Sequence, residues 1–66
     1  MIELTIHDMT CGGCVASITR VVKALDPNAR VEADVATHRV AIDSLIDTHA
    51  AVAAIENAGY HPVVIG

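Results

Sequence analysis

The chain is almost devoid of aromatic residues: Tyr60 is its only one, and phenylalanine and tryptophan are absent. Proteins that bind single-stranded nucleic acid use aromatic side chains as stacking platforms, so this composition argues against that function. Basic residues are also scarce, with four Lys and Arg against eight Asp and Glu, which gives a formal net charge of −4. Because neutralising phosphates requires clustered Lys and Arg, nucleic acid is not an expected partner.

Long apolar runs are missing as well. No stretch approaches the roughly 20 apolar residues that span a bilayer, and no basic segment followed by an apolar run begins the chain. We therefore expect no direct membrane insertion and a cytoplasmic location, where cysteines are reduced by default. The two cysteines are too few for the disulfide framework of a small secreted domain.

Hydrophobic periodicity predicts one small domain over residues 1–66, with a core of Val, Ile, Leu and Ala. The predicted elements are a strand over 2–7, a helix from Cys14 that ends before Pro27, paired strands over 30–35 and 39–43, a helix between Asp47 and Gly59, and a strand over 62–65. The apolar helix faces comprise Val15, Ile18, Val22 and Leu25, then Ala51, Val52, Ile55 and Ala58. The βαββαβ order predicts an α+β, ferredoxin-like sandwich, a four-stranded antiparallel sheet with both helices on one face.

The soft sulfur chemistry is concentrated in the segment 9–14, which reads Met-Thr-Cys-Gly-Gly-Cys. It lies between the first predicted strand and the first predicted helix, so both Cys11 and Cys14 are placed at a helix N-terminus. Unpaired backbone N–H groups and the helix dipole favour thiolate over thiol at that place. Thiolates are soft ligands that select Cu(I), Zn(II) and similar ions over Mg(II) or Ca(II).

A C-x-x-C pair alone leaves three functions open. A closed structural zinc site needs four ligands, and the four histidines, at 7, 38, 49 and 61, lack finger-like spacing. A thiol oxidoreductase uses a low-pKa cysteine at a helix start, but its C-x-x-C normally has aromatic neighbours, whereas Thr10 and Val15 flank this one. The third function is the carriage of a metal ion. The sequence contains no base–nucleophile pair of the kind that an enzyme uses, so we do not expect an enzyme.

The Met-x-Cys-x-x-Cys segment within a βαββαβ pattern resembles the heavy-metal-associated domain, found in small bacterial copper chaperones and in the N-terminal domains of P-type metal ATPases. The segment 54–60, Ala-Ile-Glu-Asn-Ala-Gly-Tyr, resembles the end of that family's second helix, and the resemblance covers all 66 residues. One departure is Asp8, where the family often has glycine. A start at Met1 immediately before the first strand favours a free-standing chaperone over a domain of a transporter.

This resemblance implies that Cys11 and Cys14 bind one soft ion, most often Cu(I), with Zn(II), Cd(II) or Hg(II) as alternatives. It also implies delivery by thiolate exchange to the metal-binding domain of a P-type ATPase or to a metal-responsive regulator. The absence of Cβ atoms at Gly12 and Gly13 lets the loop bend and a partner approach closely. The metal-free chain is expected to be a monomer, and exposed thiolates make a metal-bridged dimer feasible.

Several neighbours of the loop are candidate supporting residues. Met9 is expected to pack beneath the loop rather than to bind metal, and Thr10 is expected to be the helix N-cap. The resemblance places the Tyr60 ring over the thiolates. His61 is an auxiliary candidate, but neighbours on an extended chain point in opposite directions, so His61 and Tyr60 are not expected to face the metal together. Asp8 is expected to be solvated.

A pair of basic residues on the first helix and two further histidines lie outside the loop. Arg20 and Lys23 lie three residues apart on the first helix and form a basic patch in an acidic protein, which we expect to orient docking onto an acidic partner. His38 and His49 are expected to be surface residues remote from the loop.

Overall fold

Six elements follow one another in the predicted βαββαβ order in the computed structural model, which describes residues 1–66. They are β1 (Ile2–Ile6), α1 (Gly12–Leu25), β2 (Arg30–Asp34), β3 (Arg39–Asp43), α2 (Thr48–Asn57) and β4 (Pro62–Val64). The strands form one antiparallel sheet in the order β2-β3-β1-β4. The ferredoxin-like fold is thus confirmed. Neither helix is long and apolar enough to cross a membrane.

The core lies between the sheet and the two helices. Alternate residues of β1 and β3 share a face because the register sets Ile2 opposite Ile42 and Leu4 opposite Val40. That face packs against the apolar stripes of both helices, which therefore cover the same side of the sheet. The buried side chains are Ile2, Leu4, Ile6, Met9, Ile18, Val22, Ala29, Val40, Ile42, Ala51 and Ile55.

Some predicted boundaries and core positions were wrong. Leu25 ends α1 one turn beyond buried Val22 and is 46% exposed, and Ala58 lies exposed past the end of α2. β2 ends before Val35, because the Asp34 carboxylate accepts hydrogen bonds from the amides of Ala36 and Thr37 and starts a turn. β1 ends at Ile6, and β4 ends at Val64.

The first helix also begins earlier than predicted, at Gly12 rather than Cys14. Its N-cap is Cys11, whose carbonyl accepts hydrogen bonds from the amides of Cys14 and Val15. Because Thr10 precedes the N-cap, the prediction that Thr10 caps the helix was wrong, and no side chain caps α1. No side chain therefore occupies the first amides of α1.

Candidate metal site

The segment between β1 and α1 is fixed from below by a buried methionine. The Met9 side chain is fully buried in the core, and its backbone amide donates to the Ile6 carbonyl at 3.1 Å. A flexible thioether side chain fills irregular space well, so it suits the position between a strand and a helix. Met9 therefore packs beneath the loop and holds the following cysteines at the molecular surface.

The two cysteine side chains converge at the start of α1. Their Sγ atoms are 3.2 Å apart, with Cys11 exposed and Cys14 half-buried, and both thiols are free. A disulfide would need about 2.05 Å between the sulfurs. A metal ion bound to both at about 2.3 Å would need about 3.8 Å for tetrahedral and about 4.6 Å for linear ligation. A small outward movement of the exposed Cys11 therefore suffices to admit an ion.

The environment of Cys14 favours its thiolate form. The neighbouring Tyr60 hydroxyl lowers the pKa of Cys14 most, and the Thr10 amide and the Cys11 thiol add to this effect. Together they lower this pKa from an ordinary value of 9.0 to about 7. The thiolate of Cys14 is therefore accessible near neutral pH, and the thiolate is the form that binds a metal.

The end of α2 places Tyr60 beside this thiol. Gly59 adopts φ of 100°, a conformation that favours glycine, and its amide donates to the Glu56 carbonyl. The Tyr60 amide donates to the Ile55 carbonyl, so the chain reverses in a Schellman motif. The Tyr60 ring packs against the core, and the neighbouring Cys14 thiolate raises the pKa of its hydroxyl.

Removal of the Tyr60 hydroxyl is expected to raise the pKa of Cys14. In a Cys11→Ser background, Tyr60→Phe should shift the pH midpoint of iodoacetamide alkylation upward, because the largest stabilisation of the thiolate is lost. The midpoint should stay below that of a free thiol, because the Thr10 amide remains. His61→Ala is the control and should leave it in place. Equal midpoints with and without the Tyr60→Phe substitution would show that the Tyr60 hydroxyl does not stabilise the Cys14 thiolate.

The glycines between the cysteines lie in the first turn of α1. Neither Gly12 nor Gly13 has positive φ, so the bend of the loop does not require glycine, in contrast to the sequence-based expectation. A Cβ at Gly12 would meet no atom within 4 Å, and one at Gly13 would lie 3.8 Å from the Cys11 Sγ. These residues therefore leave open space beside the thiols.

Asp8 and His61 pair with each other rather than with the thiols. The Asp8 carboxylate accepts a hydrogen bond from the His61 ring Nδ1 at 2.9 Å and another from the His61 amide at 3.2 Å. The ring contact lowers the pKa of Asp8. The His61 side chain is 89% exposed, whereas Tyr60 is half-buried, so the two neighbours point differently.

The prediction that His38 is remote from the loop was wrong. Its Nδ1 lies 3.1 Å from the Met9 carbonyl oxygen, and its ring centroid is 5.8 Å from that of His7. The antiparallel pairing of β1 with β3 causes this, because the end of β1 meets the start of β3. The sequence predicted both strands and the pairing of β3 with β2, but not the pairing of β1 with β3. His49 is exposed on α2, as expected.

The basic pair lies farther along α1. Arg20 and Lys23 are both exposed, and neither forms an ion pair. At about 1.5 Å per residue, Arg20 lies about 9 Å along the axis from Cys14. Lys23 is in the last turn, where a positive charge also complements the helix dipole.

The site as a whole offers two sulfur ligands. No group of three or more His, Cys, Asp and Glu side chains converges anywhere in the structure. The arrangement is therefore an open pair of soft donors, one exposed and one half-buried, and the half-buried thiol of Cys14 has the lowered pKa. Fold and site together define a ferredoxin-like domain that presents a dithiol at a helix N-terminus.

The chain belongs to the heavy-metal-associated domain family, whose model matches residues 3–61. It is 36% identical over 65 residues to Copper-transporting ATPase 1 of Rhizobium meliloti (strain 1021), a match that covers 96% of this chain and 8% of the ATPase. The resemblance predicted from the Met-x-Cys-x-x-Cys segment and the βαββαβ order is confirmed.

Solved structures of small metal-binding proteins are similar over their full length. A gold-binding protein superposes with a TM-score of 0.94 at 34% identity, covering 98% of this chain and 100% of its own. A trimeric copper form of the Synechocystis PCC6803 copper chaperone Atx1, carrying a histidine-to-tyrosine mutation, has a TM-score of 0.93 at 30% identity, with 96% and 100% coverage. The fold is thus shared with proteins that differ in the metal their names record.

Proposed function

We propose that this chain is a cytoplasmic Cu(I) metallochaperone, one domain over residues 1–66, which binds a single ion through Cys11 and Cys14. The observation that carries the proposal is the open pair of sulfurs, 3.2 Å apart at the surface, with no third side-chain ligand. Soft thiolates suit Cu(I), which accepts two-coordinate binding, whereas a closed zinc site takes four ligands. The copper proteins among the relatives support this choice.

The open site also suits transfer of the ion. A thiolate of a partner enters before a bond to Cys11 or Cys14 breaks, so the ion passes through a three-coordinate state shared by both proteins. The clear space at Gly12 and Gly13 admits that partner. We propose the metal-binding domain of a P-type copper ATPase, or a metal-responsive regulator, as the acceptor. The apo chain is proposed to be a monomer, with a metal-bridged dimer as a state of the loaded form.

Two alternative functions within the family differ in whether the domain is part of a transporter and in which metal ion it carries. The match to a copper-transporting ATPase supports the same domain as the N-terminal part of a transporter, in which case the transfer would be to the membrane pump of the same chain. The gold-binding relative supports a different soft ion, and Zn(II), Cd(II) and Hg(II) are the other candidates. Neither rival changes the two ligands.

A dithiol redox protein is the rival from another class. The proximity of the sulfurs and the pKa of about 7 at Cys14 are favourable for thiol–disulfide exchange. Catalytic reduction of a disulfide substrate by the metal-free chain would support it. We propose instead that the chain is not an enzyme, and that its thiolates serve as ligands.

Charge reversal on α1 is expected to slow the delivery of copper. Arg20→Glu with Lys23→Glu should lower the rate of Cu(I) transfer to the N-terminal domain of a copper ATPase about tenfold at low salt, because steering onto an acidic surface is lost. Stopped-flow mixing of loaded donor with metal-free acceptor measures this rate. The difference in transfer rate between this variant and the parent chain should shrink at high salt.

The two other basic residues provide a matched control. Arg30→Glu with Arg39→Glu changes the net charge equally but on β2 and β3, and it should slow transfer much less. Circular dichroism checks that the Lys23 substitution has not unfolded the last turn of α1. If the two double variants slowed transfer equally, net charge alone would explain the effect, and the position of Arg20 and Lys23 on α1 would play no part in docking.

A further inference from the structure

A second group of potential ligands lies beside the thiol loop, formed by His7 and His38. His7 follows β1 and is exposed, and His38 precedes β3 and is half-buried. The two rings approach with centroids 5.8 Å apart and planes inclined by 46°. Neither imidazole has a role in the binding of an ion by the cysteines. Their proximity comes from the pairing of β1 with β3.

The hydrogen bond of His38 determines which of its nitrogens is available. A backbone carbonyl only accepts, so Nδ1 donates its hydrogen to the Met9 oxygen at 3.1 Å. In the neutral ring, Nε2 then carries the free lone pair. Histidines that bind metals usually donate the other ring N–H to a carbonyl or carboxylate in this way, which fixes the tautomer and the ring orientation.

The backbone of His38 reinforces this orientation. His38 adopts φ of 60°, in the left-handed region that few residues other than glycine and asparagine occupy. Its carbonyl accepts a hydrogen bond from the Ile6 amide at 2.8 Å. The ring is therefore held at both its backbone and its Nδ1. His7 is exposed and can rotate toward it, because no hydrogen bond holds its ring.

The spacing of the rings is close to that of two imidazoles on one ion. With metal–nitrogen bonds of about 2.0–2.1 Å, two imidazoles on one tetrahedral ion have ring centroids about 5.2 Å apart. The observed 5.8 Å is slightly longer, and rotation of the exposed His7 ring closes the difference. Imidazole nitrogen also differs in kind from thiolate sulfur, since it suits Zn(II), Cu(II) and Ni(II) rather than Cu(I).

We propose that His7 and His38 form a second metal site, a solvent-open imidazole pair that binds a divalent transition ion such as Zn(II) independently of the two cysteines. Water completes the coordination of the ion. The site joins the end of β1 to the β2–β3 turn, next to the Met9 carbonyl.

Zn(II) titration of the full chain carrying Cys11→Ser and Cys14→Ser tests this site without competition from thiolates. Calorimetry gives the stoichiometry and affinity, and NMR of the histidine ring protons identifies the residues that bind. We expect one Zn(II) per chain, with the largest shifts at His7 and His38. His7→Ala and His38→Asn should each lower the affinity at least about tenfold, and asparagine tolerates the left-handed backbone at position 38.

Two single-histidine controls complete the experiment. His49→Ala removes an exposed imidazole on α2, and His61→Ala removes the ring that pairs with Asp8; each should change the affinity less than twofold. The proposal is overturned if the thiol-free chain shows no saturable binding of one Zn(II). It is equally overturned if His61→Ala, rather than His7→Ala, abolishes binding, because the ion would then lie at the Asp8 pair.

Discussion

Replacement of either cysteine by serine is expected to lower the affinity for Cu(I) by well over a hundredfold. Each sulfur is one of only two side-chain ligands that the structure offers, and a serine hydroxyl is a hard, protonated donor at neutral pH. Substitutions of residues that merely support a ligand already cost 10- to 100-fold in metal affinity, so loss of a ligand must exceed this. Anaerobic competition with a Cu(I) chelator of known affinity measures the change.

The two single variants should behave alike, and the double variant should show no stoichiometric binding. Ala16→Ser is a suitable control, because it adds a hydroxyl at an exposed position of α1 and leaves both thiols intact. Its affinity should equal that of the parent chain. Retention of tight binding by Cys11→Ser alone would mean that Cys14 finds another partner ligand, which contradicts the two-sulfur site.

The substitution Met9→Ala is expected to destabilise the fold by about 2–5 kcal/mol, because it leaves a cavity at a fully buried position. Domains of this size are stable by only about 0.05–0.15 kcal/mol per residue, so the loss is a large fraction of the total. Urea denaturation followed by circular dichroism measures the free energy of unfolding. The protection of the adjacent loop amides from hydrogen exchange should fall as well.

Met9→Leu separates packing from metal binding by the thioether. Leucine keeps the volume, so the free energy of unfolding should fall by less than about 1.5 kcal/mol, and the affinity for Cu(I) should not change. If Met9→Leu lost affinity while it kept stability, the sulfur of Met9 would be a ligand. The position of Met9 in the core predicts the opposite result.

The fold was predictable because its signals are local. Alternation in β1 and the helical spacing of Ile18 and Val22 survive in the structure as buried faces. The errors fall where a local hydrogen bond overrides periodicity. The Asp34 carboxylate ends β2 before Val35. The hydrogen bonds from the Cys14 and Val15 amides to the Cys11 carbonyl start α1 before the first residue of the apolar stripe.

Residue types and spacing predicted the site only as far as its residues are neighbours in sequence, and the position of Tyr60 beside the thiols came from the family resemblance. The pair Cys11 and Cys14 follows from spacing and from the position at a helix start. The contact between Asp8 and His61 spans 53 residues, and that between His38 and Met9 spans 29. Each depends on which strands pair across the sheet, and the residue types alone carry no signal of that pairing.

Competitive binding of Cu(I) and Zn(II) to the full chain, under anaerobic reducing conditions, tests the central claim most directly. The open two-sulfur site predicts one Cu(I) per chain, retained when Zn(II) is present at a comparable free concentration, and lost in Cys11→Ser and Cys14→Ser. Zinc bound only at the histidine pair would leave the copper in place. Displacement of Cu(I) from the cysteines by Zn(II) would contradict the account.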